Sequence, residues 1–290
     1  MRLVTFARDG VMRLGALRTR AGRQTVVDLN QAEPRLPADM LGFLEVGDAA
    51  RQLAESVVAH AQADMDLGDV VLKAPVPRPG KIICIGLNYR DHAEETGQAI
   101  PEYPTVFSKY STATIGPFEP IVLPRVSQKV DYEGELGVVI GRRGRYIPES
   151  HALEHVAGYL AFHDVSARDF QMRTSQWTIG KTFDTFAPMG PALVTADEIP
   201  DPHSLSIRVT VSGEVVQSSN TRNLIFSVPQ LIAYLSQVMT LEPGDVIATG
   251  TPGGVGVARK PPRFLKPGDE VRIEIEQVGA LVNPVVAESE

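Results

Sequence analysis

The chain is short of several things, and each shortage removes a class of protein. A single cysteine, Cys84, among 290 residues excludes an internal disulfide and fits a reducing compartment. Cys84 lies in the apolar run Lys81-Ile-Ile-Cys-Ile-Gly86, which reads as a buried strand, and no charge beside it marks a reactive thiol. Cations are outnumbered: 28 Lys and Arg against 35 Asp and Glu leave a net charge of −7. The basic face that neutralises phosphates is therefore missing, and no nucleic-acid partner is expected. No apolar stretch approaches the roughly 20 residues that cross a bilayer, so no membrane span is expected either. Met1-Arg-Leu-Val-Thr-Phe6 lacks the apolar block of a signal peptide, which points to the cytoplasm, or to an organelle matrix in a eukaryote.

What is present is an ordinary globular composition, 43% apolar and 22% charged, long enough for a large and a small domain. Residues 1–75 read as a small N-terminal α/β domain. Leu3, Thr5 and Phe6 mark one strand, Leu14 to Thr19 a second and Gln24 to Leu29 a third, together an antiparallel meander. The spacing of Leu53, Val57, Val58 and Ala61 predicts a helix from Ala49 to Ala63. Ala74-Pro-Val-Pro-Arg-Pro-Gly80 cannot continue a helix and serves as the linker.

Over 78–287 the texture is β-rich. Strands are expected at Val138–Ile140, Leu205–Val211, Val246–Thr249 and Val271–Ile275, with a hairpin turn at Ser212-Gly213. Pro243-Gly-Asp245 and Pro267-Gly-Asp269 are turns that feed strands. One amphipathic helix is expected over Val228–Met239. The fold class is α+β and mainly β, a mixed and mostly antiparallel catalytic domain behind the small N-terminal one.

Three segments carry candidate chemistry. In Asp131-Tyr-Glu133-Gly-Glu135-Leu an extended strand puts Glu133 and Glu135 on one face, with Asp131 in line. Crowded carboxylates repel unless a cation offsets them, and hard oxygen ligands suit Mg²⁺, Mn²⁺ or Ca²⁺. An acidic edge that discourages strand pairing gives the same pattern. In Phe162-His163-Asp164-Val-Ser-Ala-Arg168-Asp169-Phe-Gln171, Asp164 ends an apolar run that can deliver it to a cleft, although a helix N-cap is the plainer role. Arg168 and Gln171 follow at helical spacing, and His163 is consistent with a satisfied core residue. In Gly86-Leu-Asn88-Tyr89-Arg-Asp91-His92-Ala-Glu94-Glu95, one helical turn sets Glu95 beside His92. That pairing makes a general base, or merely a charged pair on a surface helix.

Two glycine-bearing segments fail as nucleotide sites. Ser175 stands where a P-loop ending at Gly180-Lys181-Thr182 needs glycine. Thr249-Gly-Thr251-Pro-Gly-Gly-Val-Gly256 contains a proline and opens no helix. Both can still offer N–H groups and hydroxyls to a carboxylate or oxyanion.

In this order, the segments Gly-Leu-Asn-Tyr-(x)₂-His-(x)₂-Glu, Asp-Tyr-Glu-Gly-Glu-Leu, His-Asp-Val-Ser-Ala-Arg-Asp, Gly-Lys-Thr-Phe-Asp-Thr and Thr-Gly-Thr-Pro-Gly-Gly-Val-Gly resemble the fumarylacetoacetate hydrolase family. The start of the chain and Arg259-Lys-Pro-Pro-Arg-Phe-Leu-Lys266 are similar to its domain-containing protein 2 and acylpyruvase-like branch. The resemblance implies a mixed β-sandwich or roll, and a homodimer with one Mg²⁺ or Mn²⁺ per subunit. It implies Glu133, Glu135 and Asp164 as metal ligands and His92 with Glu95 as a catalytic dyad on a lid. It further implies Lys181 as an oxyanion support, Arg168, Gln171 and Thr251 as substrate contacts, and Thr185 as a supporting position. The sequence departs from fumarylacetoacetases proper at Ile85, where those enzymes have a further Asp ligand.

The implied substrate is a small 2-oxo acid, handled through a metal-stabilised enolate. Hydrolysis of a C–C bond in an acylpyruvate-type 2,4-dioxo acid is the first expectation. Keto–enol tautomerisation or decarboxylation of oxaloacetate, or isomerisation of a 2-hydroxydienoate, is the alternative. A binding protein that has kept the fold but lost turnover is the non-enzymatic reading.

Overall fold

The computed structural model describes residues 1–290 apart from 21, 62, 63 and 290. The chain opens with β1 (Arg2–Arg8), β2 (Val11–Arg20) and β3 (Arg23–Asp28), an antiparallel meander as the sequence predicts. Helix α1 (Asp48–His60) follows the predicted apolar spacing; the predicted continuation over Gln62 and Ala63 lies outside the described residues. Beyond the proline-rich linker, β4 (Ile82–Gly86) holds Cys84 fully buried, which pushes its thiol well above the ordinary range. Helix α2 (Arg90–Thr96) and β5 (Thr105–Lys109) come next, then β6 (Ile121–Leu123), β7 (Gly134–Ile140) and β8 (Val156–His163). Two short helices, α3 (Arg168–Gln171) and α4 (Thr178–Lys181), lead to β9 (Ala187–Thr195). The hairpin β10 (Ser206–Val211) and β11 (Glu214–Asn220) turns at Ser212 and Gly213, both at positive φ. Helix α5 (Val228–Val238) starts with a capping box between Ser227 and Gln230. Strands β12 (Val246–Ala248), β13 (Glu270–Ile275) and β14 (Gly279–Ala287) complete the chain. Gly244 and Gly268, at φ 86° and 89°, supply the left-handed positions that the two Pro-Gly turns require.

The fold is mainly β and mixed, as expected. A twelve-stranded sheet runs β3-β2-β1-β9-β8-β7-β12-β4-β5 with three short strands at its margins, and a five-stranded sheet runs β11-β10-β13-β14-β6. The large sheet does not stop at the predicted boundary between 1–75 and 78–287. Strand β1 pairs antiparallel with β9 through Arg2↔Val194 and Leu3↔Leu193. After β5 the chain returns to pair Thr114–Ile115 in parallel with Ala187–Pro188 on β9.

Strand β7 lies between β8 and β12 and is buried along its whole length. Leu136, Val138 and Ile140 join the core shared with α5 and the five-stranded sheet, whereas Val139 joins the core under the N-terminal helices. Burial on both faces explains why Val138-Val-Ile140 reads as an unbroken apolar run. By contrast β13 buries Val271, Ile273 and Ile275 and leaves the residues between them partly open, as period two demands.

Candidate metal centre

Strand pairing sets the first two acidic groups. Antiparallel pairing of β7 with β8 matches Gly134 to His163 and Glu135 to Phe162, so Glu133 and Asp164 leave the ladder side by side. The Asp164 N–H donates to the Glu133 carbonyl at 2.9 Å, closing that corner. Among the described residues, Glu133, Glu135 and Asp164 each offer a carboxylate oxygen within 4.8 Å of the others, and all three are buried. Asp164 is no N-cap: its carboxylate accepts from two lysines.

Asp131 is a correction. Strand β7 begins only at Gly134, and Asp131 belongs to a separate two-residue ladder with Ser166, so it does not line up with the glutamates. Its carboxylate accepts from Gly256 N–H at 2.7 Å, Val257 N–H at 3.0 Å and Arg168 Nε at 2.8 Å. Arg168 then donates through Nη2 to Glu133 at 2.6 Å and through Nη1 to the side-chain Oε1 of Gln171 at 2.9 Å. Arg168 and Gln171 are thus tied to the acidic cluster and to each other.

Lys181 lies at the end of α4, with Nζ 2.6 Å from Glu133 Oε2 and 2.9 Å from Asp164 Oδ2. Its ammonium also stands 4.9 Å from the Phe107 ring centroid. A second lysine escaped the sequence reading. Lys109, the last residue of β5, has a fully buried side chain and donates to Asp164 Oδ1 and to the Val165 carbonyl. Its only sequence signal is a cation closing the apolar stretch Val106-Phe107.

Charge decides what this cluster can hold. Asp131, Glu133, Glu135 and Asp164 face Lys109, Arg168 and Lys181, so one negative charge is left over. Burial works against Glu133 as an anion, but Arg168 and Lys181 outweigh it and hold the carboxyl below the usual range. Among the described residues Glu135 has no such partner and accepts only the Gly250 N–H, at 2.8 Å. Burial first, then Asp164 and Glu133, push its carboxyl well above the usual range. Three clustered hard oxygen donors, one of them an uncompensated buried carboxylate, fit a divalent cation of the Mg²⁺ or Mn²⁺ kind. His163 sits beside them fully buried with both ring nitrogens unpartnered; burial, then Lys109, lowers it to about 3, so the ring is neutral.

The dyad residues sit on α2. Leu87, at φ 52°, turns the chain out of β4, and buried Asn88 ties that turn to Phe226 and Thr249. One helical turn then sets His92 Nδ1 3.4 Å from Glu95 Oε2. Gly254 N–H reaches both Glu95 oxygens at 3.0 Å and fixes the carboxylate against the ring. Asp91, on the same helix, accepts from Ser219 Oγ. The loop that fixes Glu95 through Gly254 also donates its Gly250 N–H to Glu135, so the dyad and the acidic cluster share one support.

Thr251 and Thr185 both brace the scaffold around the cluster. The Thr251 hydroxyl donates to the Gly134 carbonyl and accepts from Gln217, bracing the start of β7. Thr185 Oγ1 accepts from Val122 N–H on β6. Ile85, at the position of the further Asp ligand, is buried in the apolar core.

A family model described as fumarylacetoacetate (FAA) hydrolase C-terminal matches residues 81–286, and the chain belongs to that family. Among relatives, the bovine protein named oxaloacetate tautomerase FAHD2A, mitochondrial, is 52% identical over 90% of this chain and 84% of its own. A Dictyostelium discoideum protein named fumarylacetoacetate hydrolase domain-containing protein 2 homolog is 47% identical, over 94% of this chain and 92% of its own. Among solved structures, the maleylpyruvate hydrolase of Sphingobium sp. SYK-6 with manganese (II) and pyruvate is 34% identical. It covers both chains completely at a TM-score of 0.83.

Proposed function

We propose that this chain is a divalent-metal-dependent oxaloacetate keto–enol tautomerase. The observation that carries the reading is one loop that holds both the His92–Glu95 pair, through Gly254 N–H, and the buried three-carboxylate cluster, through Gly250 N–H to Glu135. The bovine relative named for that activity supports the choice of substrate over acylpyruvate hydrolysis. Glu133, Glu135 and Asp164 would hold the cation, which supplies Lewis-acid polarisation of a 2-oxo acid.

The remaining work falls to side chains of the chain. Tautomerisation moves one proton: it leaves C3, the C–H pair becomes the C2=C3 bond, and the C2 oxygen receives a proton. His92 is the shuttle, because Glu95 fixes its ring to take the C3 proton and pass one on. Gly254 N–H keeps Glu95 in that role. Lys181 offsets negative charge developing on the substrate.

Hydrolysis of an acylpyruvate is the second reading, supported by the likeness to the solved maleylpyruvate hydrolase. The experiment offers enol-oxaloacetate and acylpyruvates to enzyme with Mg²⁺ or Mn²⁺, following the enol absorbance together with pyruvate and CO₂. Accelerated loss of the enol without CO₂ or pyruvate is expected. Free acid plus pyruvate from an acylpyruvate, with enol loss no faster than in buffer, would replace tautomerisation by hydrolysis. His92→Ala should abolish turnover yet keep Mn²⁺ binding, whereas Glu133→Ala should lose both. The assembly proposed is a homodimer with one cation per subunit, for which light scattering should report twice 31.4 kDa.

A further inference from the structure

Two buried lysines divide the oxygens of the cluster unequally. Lys109 holds Asp164 Oδ1 alone, whereas Lys181 bridges, taking Oε2 of Glu133 and Oδ2 of Asp164. Arg168 takes the other oxygen of Glu133. Every oxygen of these two carboxylates therefore already faces a protein cation, whereas Glu135 pairs with none among the described residues. A divalent ion drawing on Glu133 and Asp164 meets the Lys181 ammonium between the same two groups, at like charge.

We propose that Lys181 is a built-in competitor for the cation: its ammonium and the metal contend for the Glu133–Asp164 pair. Lys109, anchored to the outer oxygen of Asp164 and to the Val165 carbonyl, keeps that carboxylate in place when Lys181 lets go. Lys181 is thereby released toward the substrate only as the cation settles. By linkage, a carboxylate ligand that draws Lys181 away tightens cation binding, and the cation tightens the ligand to the same degree. This inference rests on the metal-centre reading above.

The test is Mn²⁺ affinity, measured by the electron-paramagnetic-resonance signal of free Mn²⁺ in the absence of substrate. Lys181→Met should bind Mn²⁺ about tenfold or more tightly than wild type, the scale of one lost charged hydrogen bond. Lys181→Arg, which keeps the charge and spreads it over a wider fork, should bind it more weakly. Lys109→Met removes an equal charge that does not bridge, and should raise affinity less than Lys181→Met or lower it. Equal or weaker binding by Lys181→Met overturns the proposal, as does a rise in Lys109→Met that matches it, since bulk charge alone would then suffice. If Lys181→Met does not fold, unchanged or tighter binding by Lys181→Arg overturns it. Absence of Mn²⁺ binding by wild type and every variant sinks the metal-centre reading itself, and this inference with it.

Discussion

Asp131 and Arg168 meet at 2.8 Å in a fully buried contact, and Arg168 passes that anchorage on to Glu133. The carboxylate also clamps two backbone N–H groups of the glycine-rich loop. Asp131→Asn removes one of the two counter-charges of Arg168, leaving Glu133 alone to face it, and turns an amide N–H₂ toward N–H donors. Stability should fall by about 2–3 kcal/mol, on the scale of a buried charged hydrogen bond lost. Urea denaturation reads this directly; an unchanged midpoint and slope would count against the anchoring role.

Glu135 is strained in the opposite sense. Because burial raises its folded-state pKa, it favours the fold while protonated, and that contribution is lost as pH rises above the ordinary carboxylate range. Glu135→Gln should therefore raise the melting temperature of the metal-free protein at neutral pH by about 2–4 °C, near 1 kcal/mol for a chain of this size. The gain should shrink toward pH 4.5. Added Mn²⁺ should stabilise wild type but not the variant. A lower melting temperature for Glu135→Gln in metal-free buffer would refute the assignment of an uncompensated charge.

Gly254 combines a φ of +105° with the Val216 carbonyl oxygen 2.1 Å from where a Cβ would stand. Gly254→Ala must move the loop and take its N–H away from Glu95. Turnover should drop about tenfold or more, up to the roughly 10²–10⁴ that a positioned base supplies. Thermal stability and Mn²⁺ affinity should change far less than kcat does; equal loss of all three would mean general unfolding.

His163 sets an acid limit. Its folded pKa of about 3 lies below the ordinary histidine value, so its contribution is full above pH 6.5 and is lost as pH falls toward 3. By pH 5 this single group should cost about 2 kcal/mol. His163→Met should flatten the fall in stability between pH 7 and pH 5. An unchanged slope would show that the ring takes a proton as readily in the fold as in the unfolded chain.

Local signals were legible in the sequence and distant ones were not. The N-terminal meander, the strands at 138–140, 205–211 and 271–275, two helices and the Pro-Gly turns follow from period and spacing, whereas β5, β6, β9 and β14 were not read. Glu133, Glu135, Asp164, His92 and Glu95 were singled out together only by the family resemblance. Lys109 was invisible because its partner lies 55 residues away and β5 resembles an exposed edge strand. Asp131 misled because an extended-strand rule was carried across Tyr132 and Glu133, where the chain leaves the ladder. The bracing of Thr251 between Gly134 and Gln217 was likewise out of reach, because it is set by long-range packing. The sheet crossing the linker rests on pairing β1 with a strand more than 180 residues further on, which no local pattern encodes.

One measurement bears on the account more directly than activity does. Crystals grown with Mn²⁺ should show a single anomalous-scattering peak per chain, bonded to Glu133, Glu135 and Asp164. A peak elsewhere, or none at millimolar Mn²⁺ with these carboxylates well ordered, would mean that the acidic cluster is bound only by its own lysines and arginine.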